Sequence, residues 1–396
     1  MRCDWGLLNP TGPRAVIVRA RRAIEAELVS WMHETPWDFD DARFERLALE
    51  LFERQFTDCP PYAALCRSRQ RTPECVERFE DIPPVPAGAF KEFPIRCFPE
   101  KETCHRFHTS GTSADRRGVL ELDTLELYEA SLLASLRALW LTDLEGQKPV
   151  MRFLAASPAE APDSSLSHMF GVLAENEGGE GSGFDLVRGE LRIDPLRQAV
   201  QRAQSEQSPL CLAGTSFAFV HFLDATANDP TERWHLPEGS RLMETGGFKG
   251  KSREVPREVL RSTLAKRFGL PEARVANQYG MTELGSQFYD STLVDPSGPR
   301  RKLGPPWTRV RFIDPLTNED VDHGESGLIV IHDLANTGSV AALQTADLGR
   351  LLKVSEGAAG FDVLGRTEGA EARGCSIAVD VMLEASQRAT GTEGRS

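Results

Sequence analysis

The sequence predicts an α/β fold in which strands and helices alternate, followed by a β-rich subdomain. Three observations carry that expectation. Apolar residues recur at helical spacing near the start. Between about 195 and 278, helical runs alternate with short apolar strands. From Trp307 onward the chain breaks into short strands separated by Gly, Pro, Asn and Asp. Strands alternating with helices argue for parallel pairing through crossover helices.

Each element has its own signal. Ile17, Ile24, Leu28 and Trp31 fall on one helical face behind Pro13, and a second helical run covers Asp41 to Phe56. Asp81 to Lys91 holds too many prolines for a helix and reads as an extended connection. Cys104 to Thr109 reads as a short extended segment. Thr124 to Leu141 returns to helical periodicity, and Val150–Leu154 is an apolar strand. Glu175 to Gly183 is so rich in Glu and Gly that it reads as a mobile surface loop. Then follow a helix near Pro195–Gln204, a strand at Pro209–Ala213, a helix at Ser216–Asn228 and a strand at Arg241–Glu244. A helix at Pro256–Phe268 stopped by Gly269 and a strand at Arg274–Gln278 complete the alternation. The expected organisation is a helical segment over 1–80, an α/β core over 81–306, and a β-rich subdomain with a short tail over 307–396.

Composition narrows the function. The chain has 396 residues, 40% of them hydrophobic, and a net charge of −13. Two to three domains, or one large α/β domain with an appendage, fit that length. So acidic a chain offers no broad basic surface for nucleic acid, nor charge-driven attachment to anionic membranes. It has no run of about 20 apolar residues that would span a bilayer and no apolar run of signal-peptide length at its start. The expected location is cytoplasmic. The eight cysteines show no C-x-x-C spacing, and in that compartment they are expected as thiols.

Three segments carry chemistry. Thr109-Ser110-Gly111-Thr112-Ser113-Ala-Asp-Arg-Arg117-Gly118 offers backbone N–H groups and hydroxyls that can cradle a phosphate. It lacks the closing Gly-Lys-Ser/Thr of a P-loop. Taken alone it reads equally well as a serine-rich turn. Gln278-Tyr279-Gly280-Met281-Thr282-Glu283 follows a strand. There a carboxylate can hold Mg²⁺, a threonine can touch phosphate and a tyrosine can stack on a base; the alternative is a strand-to-loop turn with a core tyrosine. Thr345-Ala-Asp347-Leu-Gly349, with Gly365-Arg366 beyond it, supplies an aspartate suited to ribose hydroxyls and an arginine. Either residue alone reads as ordinary surface charge. His108, just before the first loop, is a candidate for the acyl or adenylate site or a polar strand end.

In order and spacing these motifs resemble the adenylate-forming superfamily. Thr109–Gly118 aligns without a gap on its phosphate loop, usually Thr-Ser-Gly-Thr-Thr-Gly-x-Pro-Lys-Gly. It departs at Ser113, Ala114, Arg116 and Arg117, the last keeping the positive charge. Tyr279-Gly-Met-Thr-Glu283 matches Tyr-Gly-x-Thr-Glu in full. Asp347 matches the ribose aspartate, Gly365-Arg366 the start of the hinge, and Thr245-Gly246-Gly247 the adenine-contacting loop. Within the superfamily the chain resembles the acyl-protein synthetases of LuxE type from about Asp81 to Ala378. The segments that carry this likeness are Ile82-Pro…Phe90-Lys91, Phe107-His-Thr-Ser-Gly-Thr112, Gly304-Pro-Pro-Trp307 with Asp314-Pro315, Asp333-Leu-Ala-Asn336, Thr345–Gly349 and Gly369–Cys375.

The resemblance implies an acyl-activating fold of N-terminal type, using ATP and Mg²⁺ to convert a carboxylic acid, a fatty acid by analogy, to acyl-AMP. It implies nucleotide contacts at Thr109, Ser110, Gly111, Thr112, Ser113, Gly246, Gly247, Tyr279, Gly280, Asp347 and Arg366. Metal support falls to Glu283, catalytic roles to Thr282, Glu283 and Arg117, and substrate contact to His108. Acyl-CoA synthetases of the superfamily carry about a hundred residues and a mobile lysine beyond the hinge, whereas 22 residues follow Gly374 here. The lid domain is therefore expected to be absent or vestigial, and Cys375 stands where the acyl-protein synthetases place their acyl-accepting thiol. An acyl-accepting reductase or carrier protein is the implied partner. Two alternatives remain open: a ligase that delivers acyl groups to CoA or a carrier protein, and a nucleotide-binding subunit without catalysis.

Overall fold

The computed structural model describes residues 20–109, 117–144, 146–227, 234–246, 255–353, 359–366 and Met382. Ser110, Gly111, Thr112, Ser113, Gly247 and Cys375 lie outside them, as does the start of the predicted first helix before Ala20.

The N-terminal periodicity becomes three helices, α1 (Arg21–Met32), α2 (Asp41–Asp58) and α3 (Pro60–Ser68). The side chain of Asp40 caps α2 by accepting the Arg43 amide at 2.8 Å. Proline at the first helical position starts α3. Their apolar faces bury Trp31, Leu47, Leu51 and Tyr62. Trp31 and Trp37 meet the buried Trp307 edge-on, at centroid distances of 6.4 and 5.5 Å. Each such pair adds about 1 kcal/mol beyond area burial.

Asp81–Lys91 is not simply extended. Short 3₁₀ turns at Phe79–Asp81 and Ala87–Lys91 flank β1 (Val85–Pro86). Proline's fixed φ suits a 3₁₀ turn as well as a strand, so composition alone did not separate them. A hairpin follows, β2 (His105–His108) against β3 (Val119–Leu122), with the serine-rich loop between its strands. Beyond it lie α4 (Glu126–Leu139), β4 (Val150–Leu154) and α5 (Ser165–Glu177).

The glycine-rich stretch after α5 is docked, which corrects the expectation of a mobile surface loop. The Gly179 amide donates to Pro149 O at 2.8 Å, and a Cβ at Gly179 would stand 2.2 Å from Lys148 O. Ser182 Oγ accepts the Met151 amide. Gly183 opens β5 (Gly183–Phe184), parallel to β4. The glycines serve close backbone approach here. A small hairpin, β6 (Leu186–Val187) and β7 (Glu190–Leu191), leads on.

The predicted alternation is present: α6 (Ile193–Glu206), β8 (Leu210–Thr215), α7 (Ser216–Ala225), β9 (Arg241–Thr245), α8 (Arg257–Phe268) and β10 (Val275–Tyr279). Gly269 ends α8 at φ +64°, where any side chain would also meet Trp234 O at 2.6 Å. Strands β4, β8, β9 and β10 pair in parallel. The sheet then turns antiparallel through β11 (Phe288–Asp290), β12 (Lys302–Leu303), β13 (Thr308–Ile313), β14 (Gly327–Asp333), β15 (Ala342–Leu352) and β16 (Gly360–Arg366). One twelve-stranded sheet results, in the order β13-β14-β15-β16-β12-β11-β10-β9-β8-β4-β5, with β1 added beside β15. Among the described residues no helix is long and apolar enough to cross a membrane.

Candidate active site

In an open parallel sheet, ligands gather beyond the carboxyl ends of the strands. Register brings three such ends level here. Thr215 of β8 faces Thr245 of β9, and Thr245 faces Gln278 of β10. Just beyond these ends stand Ser216, Gly246 and the Tyr279–Glu283 segment. Gly246 adopts φ +75°, with open space where a Cβ would sit, so the chain can turn there and leave the strand end uncovered. Below it the Ser216 hydroxyl donates to Gly246 O at 3.0 Å and to the Glu244 carboxylate. The Thr245 hydroxyl ties β9 to β10 through Gln278.

The antiparallel half brings the second set of groups. Asp347 and Arg366 are cross-strand partners of β15 and β16. Asp347 Oδ1 accepts Arg366 Nε at 3.3 Å, and Oδ2 accepts the Tyr279 hydroxyl at 2.9 Å. The Thr345 hydroxyl holds the Asp347 amide at 3.1 Å and donates to Ile329 O at 3.0 Å, fixing the turn of the backbone. Residues 68 and 87 positions apart from Tyr279 thus meet around one carboxylate. That carboxylate is only 17% exposed, whereas the Arg366 side chain is 67% exposed. Burial, and then the adjacent Asp347 charge, push the Tyr279 phenol well above its usual value, so its proton stays in place as a donor. A carboxylate offers about four acceptor positions, and two are used here.

The serine-rich loop is closed at its neck. The Thr109 amide donates to Gly118 O at 2.9 Å, and the Gly118 amide returns to Thr109 Oγ1 at 2.9 Å. A Cβ on Gly118 would press on the Thr109 side chain at 3.0 Å. His108 and Arg117, on the two sides of that neck, both approach Asp163. Asp163 Oδ2 lies 3.3 Å from His108 Nδ1 and 4.0 Å from Arg117 Nη1, and the His108 amide donates to Asp163 O.

Asp163 leads into α5, whose first residue reaches the next motif: Ser165 Oγ lies 3.4 Å from Thr282 Oγ1. Asp163 and Ser165 escaped the motif search. Their signal was the helix start Asp163-Ser164-Ser165 ahead of Leu166, Met169, Phe170 and Leu173. Ser164 does cap α5 by accepting the Ser167 amide. Glu283 is buried, and its carbonyl accepts the Asn336 side-chain amide at 2.8 Å. Gly280 packs over Gln278, whose Nε2 would stand 2.7 Å from a Cβ there.

The structure therefore joins Tyr279, Asp347 and Arg366 directly. It joins Thr282 to the α5 start, and His108 and Arg117 through Asp163. Gly246 and Gly280 stand at adjacent strand ends.

Solved structures of 2-hydroxyisobutyryl-CoA ligase share the fold. The postadenylation state in complex with 2-HIB-AMP aligns with a TM-score of 0.59 at 16% identity, over 85% of this chain and 72% of that one. The open conformation in complex with 2-HIB-AMP and CoA gives 0.58 at 16%, over 83% and 76%. Residues 191–384 match the family model described as acyl-protein synthetase, LuxE. The long-chain-fatty-acid–luciferin-component ligase of Vibrio harveyi is 21% identical over 341 residues, covering 84% of this chain and 86% of that one. That of Aliivibrio fischeri is 20% identical over 335 residues, with 83% and 85% covered. Over residues 191–384 the chain is similar to the acyl-protein synthetases of LuxE type, and both ligases resemble it along most of its length.

Proposed function

We propose that the protein joins a carboxylic acid to ATP, forming acyl-AMP and releasing pyrophosphate, and then passes the acyl group to the thiol of Cys375. The convergence of Tyr279, Arg366 and Asp347 supports this reading most. It presents a carboxylate that accepts two hydrogen bonds among the described residues, beside an exposed arginine, which suits the hydroxyls of a ribose. In the first step the acid carboxylate attacks the α-phosphate and pyrophosphate leaves. Thr109 to Ser113 line the leaving phosphates with N–H groups and hydroxyls, and Arg117 adds positive charge. Gly246 and Gly247 leave room for the adenine, Tyr279 and Gly280 border it, and His108 lines the acyl end. In the second step the Cys375 thiolate attacks the acyl carbonyl, the carbonyl–oxygen bond to phosphate breaks and AMP leaves. The long-chain fatty acid named for both relatives is the proposed substrate class, and an acyl-accepting protein such as a reductase the proposed partner.

Donor chemistry supports Mg²⁺. Glu283 supplies one carboxylate and its sequence neighbour Thr282 a hydroxyl. No cluster of three or more His, Cys, Asp or Glu able to hold a metal exists among the described residues. A metal held mainly by substrate phosphates needs no more than that. Bound beside Glu283, Mg²⁺ would neutralise charge on the departing pyrophosphate.

Chain length supports the second step. Arg366 stands at the Asp347 carboxylate and Met382 is fully buried in the main core. Nine residues lead from Arg366 to Cys375, a reach of up to about 32 Å.

The test is ATP with a panel of labelled acids. Wild type is expected to acquire hydroxylamine-sensitive label, and Cys375→Ser to lose it while keeping acid-dependent pyrophosphate exchange. Equal labelling of the variant would remove Cys375 as acceptor. Undiminished product on added CoA would favour a CoA ligase instead. ATP binding with no acid-dependent AMP formation would mean a non-catalytic nucleotide-binding subunit.

A further inference from the structure

Asp333-Leu-Ala-Asn336 has no part in the chemistry proposed above, yet its polar side chains all turn toward the Thr282–Ser286 segment. Asn336 is 3% exposed. Its Nδ2 donates to the carbonyl of Glu283 at 2.8 Å. Three residues earlier, Asp333 accepts both the amide and the hydroxyl of Ser286, each at 2.7 Å, and also the Ala335 amide at 3.1 Å. The Ser286 hydroxyl is shared with Ser131 at 2.9 Å and with Trp307 Nε1 at 3.1 Å. Between the two grips lies Gly285, where a Cβ would meet the Ala335 side chain at 2.8 Å.

The grip is braced from the far end of the sequence. Gln55 of α2 donates to Asn336 O at 2.8 Å and accepts the Ala341 amide at 3.0 Å. Glu25 of α1 accepts the Thr337 hydroxyl at 2.8 Å. A backbone carbonyl held by a fully buried side-chain amide, itself fixed at both ends, has little freedom to turn. The residue so held is the one whose carboxylate faces the metal in the proposed chemistry.

We propose that Asn336 is a positioning residue: it fixes the Glu283 backbone so that the Thr282–Glu283 pair meets the metal-bound phosphates. This rests on the activation chemistry proposed above. Asn336→Asp keeps the shape and replaces the donor with an acceptor facing an acceptor. The readouts are ATP binding by calorimetry with and without Mg²⁺, and the Mg²⁺ dependence of acid-driven pyrophosphate exchange. We expect metal-free ATP binding within two-fold of wild type and a half-saturating Mg²⁺ concentration raised about ten-fold, the size of one buried hydrogen bond to a polar group. An unchanged Mg²⁺ requirement, or a loss of metal-free ATP binding of the same size, would overturn the proposal. Should Asn336→Asp not fold, Gln55→Leu takes its place, with a rise of about three-fold expected. A lower melting temperature in that variant without any Mg²⁺ effect would mark the grip as purely structural. If wild type shows no exchange with any acid, the activation reading fails, and the Mg²⁺-dependent part of ATP binding still decides the role of Asn336.

Discussion

Two polar clusters hang on strand β10, one sealed and one open. In the sealed cluster, Lys302 Nζ donates to Asn277 O at 2.7 Å and pairs with Asp290 at 2.8 Å. Both side chains are less than a tenth exposed. Asn277 passes the connection to Glu244 at 2.7 Å, and Ser216 closes it. Burial pushes Glu244 up and Lys302 down. Burial also works to raise Asp290, but Lys302 and Arg300 outweigh it and hold that carboxyl below its usual range. In the open cluster, two residues further along the strand, Tyr279 meets Asp347 and the exposed Arg366. The same strand therefore carries charge in two ways. Below, charges satisfy one another and join the parallel half of the sheet to the antiparallel half. Above, the Asp347 carboxylate accepts from Tyr279 and Arg366 among the described residues. The open cluster differs in having an exposed member, Arg366, at 67% side-chain exposure.

That contrast can be broken from either side. Lys302→Met should have the largest effect, because Asp290 would lose its buried partner; breaking such a pair costs about 3–5 kcal/mol. The expected result is a large fall in urea midpoint with a near-normal KM for ATP in the folded fraction. A raised KM with unchanged stability would mean that the sealed cluster belongs to the site. Asp347→Asn should do the reverse: stability close to wild type, and a KM for ATP raised about ten-fold, one charge-assisted hydrogen bond. An unchanged KM would take Asp347 out of nucleotide binding.

A third effect, which depends on pH, sharpens the meaning of sealed charge, and concerns His332 and Asp333, adjacent on β14. Burial, aided by Arg311, pushes the His332 imidazole down to about 3, and burial pushes Asp333 up to about 6 despite its hydrogen bonds. Below pH 6.5 the unfolded imidazole takes a proton that the folded one refuses, so His332 costs stability as pH falls toward 3. Asp333 acts in the opposite sense: the folded state binds its proton first, and gains relative stability as pH falls from about 6 to 4. The melting temperature of His332→Gln, measured against wild type, should therefore improve steadily from pH 7 to pH 4, by up to about 1 kcal/mol per pH unit. A constant difference would show that His332 takes up its proton in the folded state.

Much of this molecule was legible before its structure. Helical periodicity and short apolar runs found β4, α2, α4 and the alternation from α6 to β10, because each element buries one face or one continuous run. The helix stop at Gly269 was readable because positive φ favours glycine. The docked glycines at 178–183 were not readable, since composition cannot distinguish glycine that leaves room for a neighbour from glycine that leaves room for motion. Helix α5 was missed although Ser164 caps it, because a Pro-Asp-Ser-Ser run reads equally as a turn.

For the candidate site, the sequence by itself determined which residue types are present and in what order: hydroxyls and glycines at 109–118, Tyr279 to Glu283, Asp347, Arg366. These are local properties, set by what each side chain can donate, accept or leave open. Only the tertiary structure decided which of them meet. The Tyr279–Asp347 bond depends on the register of β15 against β16 and on the reversal of the sheet between β10 and β16. Asp163 at the loop neck and Asn336 at Glu283 O depend on where α5 and the turn after β14 come to rest. Such contacts join residues tens to hundreds of positions apart, and they are fixed by the packing of the whole sheet, which no local pattern encodes.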